Sequence, residues 1–276
     1  MSTFRAILRK VLPSTVRELA GVSRSYLKLS PADRRRLRTI LDNNIGIDGM
    51  PFRFSADGLC TIHNADFATE PRFLRAYNAG KATGSWAGAD PMWRAYVLCW
   101  TAAWSAGLGG DFVECGVNRG GASRMILDYL GEFPAGRSFF LLDTFNGFVP
   151  AQLSQEEQAT IGKIYTYDAS LDFVKQTFLP FPCVKIIPGA VPDTLPQVTS
   201  SKIAFLSIDM NCVAPEIAAV EHFWPLLVPG AVVILDDYGF ASHRLQKEAF
   251  DNLALKKGVS ILSLPTGQGL IFKPAN

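Results

Sequence analysis

The chain has 276 residues, 48% of them hydrophobic. That length supports one large domain, or a domain with an extension, around a sizeable core. No apolar run reaches the ~18 residues needed to cross a bilayer. The formal charge of +2 divides unevenly: residues 1–45 hold ten Lys or Arg against Glu18, Asp33 and Asp42, a net of +7 that leaves −5 for the rest. No basic motif is interleaved with aromatics, which argues against nucleic acid as a partner.

Taken in chain order, the lead segment "MSTFRAILRKVLPS" breaks its apolar residues with Arg5, Arg9 and Lys10 and lacks the continuous hydrophobic region of a secretory signal. Residues 1–45 are expected to form a basic helical extension able to make peripheral contact with a membrane surface. Residues 46–110 read as an irregular, partly helical cap region with a helix at 92–107, whose "YVLCWTAAW" is apolar enough for burial. Cys60, Cys99, Cys115, Cys183 and Cys212 form no CxxC pair. That pattern argues against zinc and a disulfide framework, and for a reduced, cytoplasmic protein.

From residue 111 short apolar runs alternate with helical patterns. "DFVEC" (111–115), "SFFLL" (138–142), "VKII" (184–187), "IAFLSI" (203–208) and "AVVIL" (231–235) are continuous apolar strands, as a parallel sheet covered on both faces requires. "GGASRMILDYLGEF" and "PEIAAVEHFWPLL" are helical; in the second, Pro215 suits the first turn and "VPG" (228–230) stops the helix before the next strand. "VSILSL" and "GLIFK", joined by a short polar turn, predict an antiparallel hairpin at the sheet edge. The expected fold over 111–276 is α/β, a doubly wound Rossmann-like sheet with an antiparallel last strand.

Ligands of such sheets bind beyond the carboxyl ends of the strands. Here four strands end in reactive groups: Glu114-Cys115-Gly116, Asp143, Asp209 and Asp236-Asp237. The turn "VECGVNRGGAS" has Gly116 and Gly121 where a dinucleotide fingerprint wants its first and third glycines, but Asn118 replaces the middle one, which disfavours NAD and FAD. A helix N-terminus with free N–H groups still suits a carboxylate, Ser123 adds a hydroxyl, and Asp143 is placed to accept from ribose hydroxyls. Glu114 would help hold a cationic part of the ligand. A nucleoside with an amino-acid tail fits both halves, which points to S-adenosylmethionine. The adjacent acids at 236 and 237 repel unless something positive, such as a hard dication, lies between them.

"DFVECGVNRGGAS", "LLDTFNGF", "PGAVPDTLP", "LSIDMN", "PLLVPGAVVILDDYG" and "PTGQGLIFKP" together resemble the macrocin O-methyltransferase family, from about residue 92 to the C-terminus. The resemblance implies an S-adenosylmethionine-dependent methyltransferase acting on a hydroxyl of a sugar or glycosylated metabolite. It implies a cofactor site at Glu114, Gly116, Val117, Gly120, Ser123, Asp143, Thr144, Gly189 and Asp209. It also implies Mg²⁺, or Mn²⁺, held by Asp209, Asp236 and Asp237. The catalytic set is expected to be Asp209, Asn211, Asp237 and His243. One departure matters: the family's D-x-D motif, whose second acid is a general base, reads Asp209-Met210-Asn211, and Val213 and Ala214 replace its usual aromatic and acid. An amide takes no proton, so Asn211 would only orient the acceptor. His243 is the nearest titratable substitute, with His63 and His222 more distant ones. Alternative readings are a catechol-like acceptor, or a cofactor-binding protein without catalysis that docks through its N-terminus. Relatives in the family assemble, so a homo-oligomer is expected.

Overall fold

The computed structural model describes residues 30–34, 46–47, 50–160, 168 and 170–275. The basic extension expected over 1–45, and the membrane contact expected of it, lie outside the described residues apart from 30–34. The chain divides into two compact units, residues 1–55 with 60–64, and residues 56–59 with 65–276. In the first, Gly46–Ile47 pairs antiparallel with Met50–Pro51. Phe54–Ala56 and Leu59–Thr61 are short strands of a second hairpin, whose tip, residues 56–59 with Asp57, belongs to the second unit. Among the described residues no helix is long and apolar enough to cross a membrane.

The second unit holds a seven-stranded sheet. Its strands are β1 (Asp111–Cys115), β2 (Phe139–Asp143), β3 (Val184–Pro188), β4 (Ile203–Ile208), β5 (Leu227–Leu235), β6 (Leu262–Ser263) and β7 (Gly269–Phe272). Their order across the sheet is β6-β7-β5-β4-β1-β2-β3. The first five are parallel and β7 runs antiparallel to both β5 and β6. The order reverses between β1 and β4, where a crevice opens in doubly wound folds.

The helices are α1 (Pro71–Lys81), α2 (Met92–Ala106), α3 (Gly121–Leu130), α4 (Gln155–Ala159), α5 (Leu171–Phe178), α6 (Val213–Phe223) and α7 (Arg244–Lys257). Alternate strand residues feed opposite faces. Phe112, Leu141, Phe205 and Ile234 face α1, α2, α3 and α5; Val113, Leu142, Leu206 and Val233 face α6 and α7. Two-sided burial is why β1, β2, β4 and β5 read as apolar runs, whereas the edge strand β3 exposes Lys185.

Several expectations shift. β5 begins at Leu227, so "VPG" lies inside the strand and α6 ends at Phe223, where a 3₁₀ turn at Trp224–Leu226 with Pro225 breaks it. The helix expected through residue 133 ends at Leu130 with Gly131 at φ +74°. Of "VSILSL" only Leu262–Ser263 pairs. α2 is not buried throughout, for Trp100 and Trp104 stack on each other half exposed.

Candidate functional site

Hydrogen bonds carried one residue past the ladders align the strand ends. The amide of Gly116 donates to Leu142, that of Asp209 to Cys115, that of Asp236 to Ile208, and that of Gly189 to Asp143. The reactive residues after β1, β2, β4 and β5 therefore stand side by side. Gly116 has φ +94°, and a Cβ there would overlap the carbonyl oxygen of Asp209. Only glycine lets the β1 and β4 loops cross this closely.

A cavity of about 590 Å³ opens over these ends. Glu114, Gly116, Val117, Asp143, Thr144, Gly189, Asp209, Asn211, Asp236 and Asp237 all line it. The segment after α1 forms another wall, with Gly84, Ser85, Trp86, Ala87 and Ala89. It is tied to the β1 turn: Asn118 Nδ2 donates to the Ser85 carbonyl (3.1 Å), and Arg119 Nε to that of Thr83 (2.8 Å).

At this half the polar groups satisfy one another. Asp143 Oδ2 accepts from the amides of Val117 (2.6 Å) and Asn118 (2.8 Å), and Oδ1 from that of Phe145 (2.6 Å). The amide of Gly121, first in α3, donates to Ser85 Oγ (2.8 Å). Of the N–H groups expected to be free for a ligand carboxylate, those of Val117, Asn118 and Gly121 are engaged, and Asp143 shapes the turn it was expected only to face. Ser123 is fully buried and its hydroxyl donates to Glu114 Oε2, so it holds Glu114 and does not line the cavity. Gly120 sits at φ +84° against the Phe178 ring, also away from the lining. Burial, with Asp143 and Asp236 nearby, raises the Glu114 carboxyl well above its usual range.

The other half is acidic and less well matched. One carboxylate oxygen from each of Asp209, Asp236 and Asp237 lies within 4.8 Å of the others. Burial first, then the neighbouring acids, pushes Asp209 and Asp237 well above the ordinary carboxylate range. Asp237 Oδ2 is buried without a hydrogen-bond partner. Asp236 is held from both sides, Oδ2 accepting from Arg94 Nη1 (2.9 Å) and Oδ1 from Gln268 Nε2 (2.9 Å). Asn211 sits at φ +59°, a conformation asparagine tolerates, and its Nδ2 donates to Asp209 Oδ1 (3.1 Å). Glu216 on α6 is buried and accepts from the Met210 amide (2.9 Å), fixing the loop after β4. Burial pushes its carboxyl up to about 7.

The histidines fall elsewhere. His243 is buried in a 3₁₀ turn ahead of α7, its Nε2 3.6 Å from Asp237 Oδ2 and its Nδ1 2.9 Å from Ser242 Oγ. It stands behind Asp237 and is not among the cavity-lining residues. Burial lowers its pKa. His63 and His222 are exposed. The residues that sequence reasoning missed are Arg94, Asp57, Glu216 and Gln268. Only Arg94 left a signal: it is the single charged residue in the otherwise apolar "MWRAYVLCWTAAWSA".

The chain is similar to known proteins in family and in fold. The family described as Macrocin-O-methyltransferase (TylF) matches residues 93–259. Mycinamicin III 3''-O-methyltransferase of Micromonospora griseorubida is 26% identical over 151 residues, 51% of this chain and 59% of that protein. The 8-demethyl-8-(2,3-dimethoxy-alpha-L-rhamnosyl)-tetracenomycin-C 4'-O-methyltransferase of Streptomyces olivaceus is 29% identical over 150 residues, 50% of this chain and 56% of that one. The match thus spans less than two-thirds of either relative's length. Among solved structures, the O-methyltransferase NovP superposes with a TM-score of 0.58 at 23% identity, covering 67% of this chain and 81% of its own. The calicheamicin methyltransferase CalS11 gives 0.54 at 15% identity, covering 88% and 93%. These two likenesses establish the fold.

Proposed function

The chain belongs to the macrocin O-methyltransferase family, and from that premise we propose that it transfers the methyl group of S-adenosylmethionine to a hydroxyl of a sugar carried on a small molecule, with a divalent cation at the acceptor end. One observation carries this reading: a single cavity joins the glycine-rich turn after β1 to the Asp209–Asp236–Asp237 cluster. The name of one relative specifies a rhamnosyl-bearing tetracenomycin and a 4' position, which supports a sugar acceptor over a catechol.

The acidic residues fit Mg²⁺ or Mn²⁺. Three clustered carboxylates, one with an orphaned buried oxygen, are the all-oxygen donors a hard cation takes. When bound, such an ion lowers the pKa of an acceptor hydroxyl, and the sulfonium cofactor supplies an electrophilic methyl. The chain's own residues bind and orient. The Val117–Asn118 turn, fixed by Asp143, and the 84–89 segment enclose the nucleoside half. Gly116 and Gly189 keep the backbone clear of it. Asn211 fixes Asp209 and offers no site for a proton. Enclosure of two reactants losing charge as the methyl moves makes positioning the main contribution.

The test is calorimetric titration with S-adenosylmethionine and its demethylated product, followed by methyl transfer to a panel of glycosides with Mg²⁺ or with a chelator. Binding, and glycoside methylation that stops on chelation, is the expected result. Absence of cofactor binding defeats the reading, and methylation indifferent to chelation defeats its metal component.

A further inference from the structure

Three carboxylates gathered at a strand end are unstable together unless something offsets their charge. In this structure the offset is internal. Arg94, near the start of α2, lines the cavity with its side chain only 19% exposed. Its Nη1 donates to Asp236 Oδ2 (2.9 Å), its Nε to Asp57 Oδ1 (2.9 Å), and its backbone amide to Asp57 Oδ2 (3.0 Å). Its guanidinium lies 5.2 Å from the centre of the Phe240 ring, which follows the acidic pair by three residues. Its charge also acts on Asp209.

This geometry does two things. Asp57, with a side chain 4% exposed, takes both the Nε–H and the amide N–H of one residue and so fixes the guanidinium's direction. The remaining donor edge is delivered to the acidic cluster. Lysine, a point charge without the planar fork, cannot serve both carboxylates in this way.

We propose that Arg94, anchored by Asp57, is the resident counter-cation of the Asp209–Asp236–Asp237 cluster, holding Asp236 in place and reducing the cluster's charge so that a divalent ion binds and leaves reversibly. The inference rests on the metal-binding reading of that cluster. Arg94 brings one positive charge to the rim of the cluster, in direct contact with Asp236. Arg94 is a positioning residue here, acting through Asp236.

Two measurements test it. The first is a thermal double-mutant cycle in chelator, run in an Asp57→Asn background so that no second carboxylate is left stranded. Arg94→Met should lower the melting temperature by about 5 °C or more when Asp236 is present, as expected for a broken, largely desolvated ion pair. It should cost much less when Asp236→Asn accompanies it, because the repulsion is gone. Equal costs in both backgrounds would reduce Arg94 to a packing residue and overturn the inference. The second is Mn²⁺ binding followed by electron paramagnetic resonance, without substrate or turnover. Arg94→Met should bind Mn²⁺ about tenfold more tightly than the parent, since a positive charge has left the site. Weaker or unchanged binding overturns the counter-cation role. If the parent itself binds no Mn²⁺, the metal component of the proposed function fails, and the thermal cycle still decides whether Arg94 neutralises the cluster.

Discussion

The two halves of the cavity are built on opposite principles. At the β1–β2 end each carboxylate has its partners: Asp143 takes three backbone amides, and Glu114 takes the Ser123 hydroxyl. At the β4–β5 end three acids crowd within 4.8 Å, one oxygen has no donor, and Arg94 and Gln268 share the work of restraint. The first half is a finished scaffold whose polar groups hold its own backbone. The second is only partly matched, with Asp236 restrained and Asp237 Oδ2 left without a donor. Stability should therefore reside in the first half and chemistry in the second, and substitutions at the two ends should separate these properties.

The largest effect is expected where the halves cross. Gly116→Ala forces a Cβ onto the Asp209 carbonyl at a backbone φ of +94°, so neither loop can keep its path. The variant should lose ~4 kcal/mol or more, or fail to fold. Urea denaturation of purified protein, or soluble yield if none survives, reads this out. A Gly116→Ala protein of parental stability would mean that the loops do not cross as described.

Next comes the acidic half. Asp237→Asn should lower methyl transfer ~10²-fold or more, because a carboxylate ligand is lost. It should leave stability unchanged or slightly higher, since a repelling charge is gone. Activity assays beside thermal melts decide the point, and a sharply destabilised variant that keeps its activity refutes the functional assignment of this end. At the other end the pattern inverts. Asp143→Ala strands the amides of Val117, Asn118 and Phe145, so it should cost ~1.5–3 kcal/mol of stability together with cofactor affinity. Full stability with lost affinity would restore Asp143 to a purely ligand-facing role.

The same contrast explains what the sequence disclosed. The four inner parallel strands are legible because burial on both faces demands apolar runs, the edge strand β3 keeps an exposed Lys185, and the strand ends mark the site because the fold binds there. Asp143, Asp209, Asp236 and Asp237 were found by that logic. What a residue does with its hydrogen bonds is not legible. Ser123 and the Gly121 amide look available in the motif, yet Glu114 and Ser85, from 9 and 36 residues away, engage them. Arg94 and Asp236 are 142 residues apart, and no local pattern joins them. Asn211 looks like a lost base in the motif; in three dimensions it is a left-handed residue donating to Asp209.

The smallest effect concerns Glu216, which holds the loop after β4 from the α6 side. Burial pushes its carboxyl up to about 7 from an ordinary 4.5. A raised carboxyl pKa means that the folded state binds the proton more tightly than the unfolded chain. Between pH 4.5 and 7 the folded form is protonated and the unfolded form is not, so the proton's stabilising contribution is complete below 4.5 and fades as pH rises through 7. The slope cannot exceed ~1.4 kcal/mol per pH unit for one group. In chelator, then, the parent should lose on the order of 2–3 kcal/mol between pH 5 and 8 from this residue. Glu216→Gln keeps an acceptor for the Met210 amide and cannot ionise, so its stability should be flatter over that range and should overtake the parent's above pH 7. Melting temperatures at half-unit intervals provide the comparison. Parallel curves for the two proteins would show that Glu216 is ionised in the folded state throughout, and that the helix holding it stabilises the charge as well as water does.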